Sequence, residues 1–107
     1  MKNLDLSVFD KITWQVTLPG GQVLNIKKPT QAELITLGKK AIVIESEKDT
    51  FKQMENLSET TLLILNNNME GLTFTKDQLE KMFNLDMYYA IYFGYMEFVN
   101  EIVSNPN

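Results

Sequence analysis

Ten residues near the C-terminus, Met87 to Met96, read Met-Tyr-Tyr-Ala-Ile-Tyr-Phe-Gly-Tyr-Met and carry no charge. All four tyrosines of the chain lie inside this run. Phe83 precedes it, and Phe98, Val99 and Ile102 follow at helical intervals. The spacing predicts a helix over residues 86–103 that is apolar on nearly every side. Such a helix is either the centre of a bundle or the face of an assembly. A stretch of about ten uncharged residues is too short to cross a bilayer, which takes about twenty. The rest of the chain must therefore cover this helix or leave part of it open to a partner.

The chain has 107 residues, enough for one domain over residues 1–107 with a real core. It contains no cysteine and no histidine. That excludes disulfides, thiolate nucleophiles, serine–histidine catalysis and the commonest ligands of transition metals. The net charge of −4 and the pI near 4.7 disfavour nucleic acid, because an acidic surface repels phosphates. The N-terminal Met-Lys-Asn-Leu-Asp-Leu-Ser-Val-Phe lacks the apolar run of a signal peptide, so the expected location is a cytoplasm. Asn56-Leu57-Ser58 matches a glycosylation triplet, which has no meaning without export.

Leu4, Leu6 and Val8 alternate with polar residues and predict a short extended lead-in. A β-hairpin is expected over residues 12–28. Ile12, Trp14, Val16 and Leu18 fall on one face, Pro19-Gly20-Gly21 makes the turn, and Leu24 and Ile26 return on the same face. Two strands alone are barely stable in water. This pair must lay Trp14 on helices or pair an edge with another chain.

Pro29 ends the hairpin, and Thr30 with Glu33 has capping-box spacing. A helix over about 31–44 follows, with Leu34, Leu37, Ala41 and Ile44 as its stripe and Gly38 and Ile42 beside it. A second helical pattern runs over 48–69 through Phe51, Met54, Leu62, Leu65 and Met69. Ser58 interrupts that stripe, leaving open one helix or two, with a break near 56–58 and Ser58 as a new N-cap. Asn66-Asn67-Asn68 reads as a fraying end closed by Gly71 in a left-handed conformation. Thr75 and Gln78 have capping-box spacing for a helix over 76–83, and Asn84 or Asp86 caps the aromatic helix. Pro106 is expected to end it.

The tyrosine-rich helix has two readings: plain core, or an adaptable interface of the kind tyrosine and methionine favour. A helix can satisfy both by burying one side and offering the other. Gly94 costs this helix about 1 kcal/mol relative to alanine, so close approach of another helix or of the hairpin is expected there. The Glu45, Glu47 and Asp49 alternation lacks the glycine and remaining ligands of a calcium loop and reads as a solvated face. Lys27, Lys28, Lys39 and Lys40 read as solubilising. No catalytic residues, metal ligands or cofactor site emerge. The residues themselves describe an α+β, mainly α domain that binds other proteins: an N-terminal hairpin followed by about four helices packed as a small bundle.

The stretch from Ile12 to Gln31, with Trp14, Pro19-Gly20-Gly21, Leu24, Ile26 and Lys28-Pro29-Thr30, resembles the opening of small tail-assembly proteins of long-tailed phages and prophages of Gram-positive bacteria. Their last helix is similar to Tyr95 through Ile102. The segment from Ile42 to Gly71 is not distinctive. The resemblance implies a tail assembly chaperone, which binds the long helical tape-measure protein, keeps it soluble, assists tail-tube assembly and then leaves. It also implies contact with tail-tube protein, self-association, and in some members a longer frameshifted form. Rival readings are a structural component of the tail and a host protein–protein adaptor. The expected partner-binding residues are Tyr88, Tyr89, Tyr92, Tyr95 and Met96. The expected structural core is Trp14, Leu24, Ile26, Leu34, Leu37 and Phe93.

Overall fold

The structure is a computed structural model and describes residues 2–104; Pro106 lies outside them. Strands β1, Trp14–Thr17, and β2, Val23–Ile26, pair antiparallel with Trp14 opposite Ile26 and Val16 opposite Leu24. The turn follows from its residues. Pro19 sets the second position, Gly20 takes φ +97°, and the Gly21 N–H donates to the Leu18 carbonyl at 2.9 Å. Side chains alternate as strand geometry requires: Val16, Leu18, Leu24 and Ile26 are buried, while Gln15 and Thr17 are exposed. The strands are shorter than 12–28, and Ile12 lies outside them, exposed.

Four α-helices follow: α1 Gln31–Ser46, α2 Thr50–Asn66, α3 Lys76–Met82 and α4 Leu85–Ser104. Both capping boxes form. Thr30 accepts from the Glu33 N–H while Glu33 accepts from the Thr30 N–H, and Thr75 and Gln78 do the same for α3. Asn84 caps α4 by accepting from the Met87 N–H at 3.0 Å. Asp49 caps α2 through the Phe51 and Lys52 N–H groups, so it belongs to a helix start.

α2 is the strut of the molecule, packing against α1, α3, α4 and β2. Leu57, Ile64 and Leu65 of α2, Leu79 of α3, Tyr95 of α4 and both inward residues of β2 are almost wholly buried. The result is a slab, 57 × 31 × 18 Å, about two helices thick. No helix among the described residues is long and apolar enough to cross a membrane.

Several expectations are corrected. Leu6–Lys11 is a 3-10 helix and not an extended lead-in, because the Asp5 carboxylate accepts from the Ser7 N–H and hydroxyl and turns the chain. α2 is unbroken. Ser58 is buried in its middle, where its hydroxyl has no hydrogen-bond partner among the described residues, while Phe51 and Met69 of the expected stripe are exposed. Asn66–Asn68 does not fray. The Asn68 side chain is buried and bonds the Leu65 carbonyl and both backbone groups of Leu72. Asn66 likewise bonds both backbone groups of Phe74. Gly71, at φ +73°, completes this connection. Leu34 is not core: it is 40% exposed, because α1 turns Leu37 and Ile44 toward α2. Phe93 is not core either, at 59% exposed. α4 buries Tyr88, Ile91, Tyr92, Tyr95 and Phe98, and Phe93 lies on the opposite side with Asp86, Ala90 and Glu97.

Candidate functional site

The tyrosines divide sharply. Tyr88, Tyr92 and Tyr95 are 3%, 3% and 1% exposed, so these three are core and not contact residues. They face inward because α4 lies on α2 along that stripe. Burial pushes the Tyr95 phenol up to about 12, and the Glu33 carboxylate adds to the shift. The Tyr92 phenol is also raised, by burial first and by Glu45 second. Tyr89 and Met96 are half-buried. The Tyr89 ring stacks on Phe93 at 6.0 Å, and the pair forms an aromatic ridge on the outer side of α4.

The hairpin is fixed to α4 through Trp14 and Gly94. A Cβ built on Gly94 would lie 2.7 Å from the Trp14 ring. The glycine is therefore required by close approach of the hairpin. Trp14 also packs against Tyr95, at 5.9 Å between centroids, and stacks on Phe98 at 6.4 Å. Leu24, Ile26 and Leu37 are buried as expected, and Trp14 is half-buried beside them.

Next to this junction runs a groove of about 470 Å³. β1 and the start of its turn, from Trp14 to Pro19, form one wall, and Phe83, Met87, Ala90 and Ile91 form the other. None of these residues is charged. The wall of β1 is also a sheet edge whose outward backbone groups have no backbone partner among the described residues. On the far side of β2, the Asn25 carbonyl accepts from the Met69 N–H, and the Asn25 N–H donates to the Glu70 carboxylate at 2.9 Å. The Lys27 N–H donates to the Asn67 carbonyl, so that edge is sealed. The Asn25 side-chain and backbone bonds hold the Glu70 carboxyl below its ordinary range. Because Asn25 turns its backbone groups outward from the hairpin, its partner Gln15 does too, on the other side. By the same alternation Thr17 presents its N–H and carbonyl to the open edge.

Natural sheets blunt such an edge with charge, proline or a bulge. Trp14–Thr17 has none of these. The surface can accept an extended segment by backbone hydrogen bonds, or an apolar ridge in the groove beside it. Val16, Leu18, Met87 and Ile91 were not singled out as partner contacts from the sequence. The signal available was a strand without charge next to a proline turn. No protein-family model, curated protein or solved structure matches the chain.

Proposed function

We propose that this protein is a non-enzymatic binding module of the tail assembly chaperone type, which holds apolar helical segments of a tape-measure protein during tail-tube assembly. The observation that carries the reading is the uncharged groove between β1 and α4; the outward-facing Tyr89–Phe93 ridge is a second apolar surface on another side of α4. A groove walled by Met87, Ile91 and Phe83 accepts apolar ridges of varied sequence, since methionine and aromatic side chains adapt to what they meet. The −4 charge keeps a complex of two apolar surfaces soluble. Its place of action, on this reading, is the host cytoplasm.

A second reading has its own observation. The open edge of β1 favours strand addition, which suits a lasting structural component of the tail that pairs with tube subunits. A host adaptor with no tail partner is the third.

One experiment separates them. The N-terminally tagged chain is recovered from cells producing tails, and bound proteins are identified by mass spectrometry. Capture of a very long helical protein, lost in Ala90→Glu but kept in Gln15→Pro, supports the chaperone. Ala90 is an exposed groove residue, and Gln15→Pro removes the edge N–H together with the long 3.5 Å side-chain bond to Asn25 at the rim of the groove. Capture of tube protein lost in Gln15→Pro, with the chain present in purified virions, supports the structural component. Capture of neither partner leaves the adaptor.

A further inference from the structure

Gly38 stands in the middle of α1, and nothing among the described residues explains it. A Cβ there would meet no atom within 4 Å. Around it lie Leu34, Ile35 and Ile42, at 40%, 54% and 69% exposure, on a side of α1 that α2 does not cover. We propose that this face of α1 pairs with α1 of a second copy, antiparallel, with the two helices crossing at Gly38.

The pattern around Gly38 is its own complement. In an antiparallel pair, residues equidistant from the crossing point meet. Leu34 then meets the Ile42 position of the second copy, Ile35 meets Ala41, and Gln31 meets Glu45. Apolar meets apolar, and the one charged group finds an amide donor. Glycine at the crossing lets the axes approach to the short end of the usual 8–10 Å range, about 8 Å.

Charge favours the same arrangement. α1 carries Glu45 in its last turn, where no basic residue offsets the negative end of the helix dipole. Antiparallel pairing sets that carboxylate beside the N-terminal end of the second α1, where an anion is favoured. Two chains of charge −4 repel elsewhere, and this strip meets without opposing like charges. A helix pair of this length buries on the order of 1,000 Å², the lower bound of specific interfaces, so a reversible dimer is expected. The face is separate from the groove beside β1, and the inference stands whether or not a tail partner exists.

The chain has no cysteine, which makes single-cysteine variants clean. Under mild oxidation, a mixture of Leu34→Cys and Ile42→Cys should form the mixed disulfide well ahead of either homodimer. Lys39→Cys, pointing away from the crossing, should not cross-link. By sedimentation equilibrium the wild type should dimerise reversibly, and Ile42→Asp should weaken that by about tenfold or more, with an unchanged melting curve at dilutions where both chains are monomeric. A wild type that stays monomeric up to millimolar concentration overturns the proposal. So does a dimer that Ile42→Asp leaves intact, or cross-linking with no preference for the mixed pair.

Discussion

Two glycines stand inside helices, and alanine should move stability in opposite directions at them. At Gly94 the added methyl meets the Trp14 ring at 2.7 Å, so Gly94→Ala should cost about 1–3 kcal/mol despite the better helix propensity. At Gly38 the space is open, and Gly38→Ala should stabilise the dilute monomer by about 1 kcal/mol. Urea titration reads both. Trp14→Ala should cost about 3 kcal/mol, and in that background the Gly94 penalty should vanish. A penalty that survives would mean Trp14 does not seat on the glycine. Tyr95 gives a pH signature. Its phenol ionises near 12 in the fold and near 10 when unfolded, so the unfolded chain loses its proton first. The stability this contributes is complete below pH 10 and is lost as pH rises from about 10 to 12. Tyr95→Phe should flatten that part of the profile. The need for a close neighbour at Gly94 was legible in the sequence, because a helical glycine is costly. The identity of the neighbour was not, because Trp14 is eighty residues away.

Elements whose signals are local were legible. Thr30 with Glu33 and Thr75 with Gln78 satisfy each other across three residues, so both helix starts could be placed from spacing alone. The end of α2 could not. Asn66 and Asn68 bond to Phe74 and Leu72, and nothing in a run of three asparagines announces partners beyond a glycine turn. Polar composition reads as fraying until the partners are known. Asn68→Ala should therefore cost about 2–3 kcal/mol, because three backbone groups lose their bonds in a buried site. Asn67→Ala should cost little, since only its backbone carries the bond to Lys27. Equal effects in denaturant titrations would contradict this. Ser58 left one helix or two open for a related reason: a small polar side chain in an apolar stripe can mark a cap or be buried within a continuous helix, and here it is buried.

At the scale of the whole molecule, periodicity located the helices but not their outer sides. When apolar residues spread beyond a single stripe, as they do in α1 and α4, spacing does not say which of them face the core. Hence Leu34 and Phe93 lie outside while Tyr88, Tyr92 and Tyr95 lie inside. The division predicts a split in behaviour. Phe93→Ser should leave the melting curve within about 0.5 kcal/mol of wild type and reduce partner capture. Tyr92→Ser should cost about 3 kcal/mol or more and act on capture only through folding. A Phe93→Ser variant that binds as well as wild type would remove the aromatic ridge from the contact surface. The two edges of the hairpin set a last property. One is locked by residues 67–70; the other has no backbone partner among the described residues. A sheet free on both sides propagates, each added strand exposing the next template. A sheet free on one side admits a single newcomer, and if that newcomer is another copy joined through the same edge, both sealed sides face out and growth terminates. Glu70, by occupying the Asn25 amide, makes this hairpin a stopper instead of a seed.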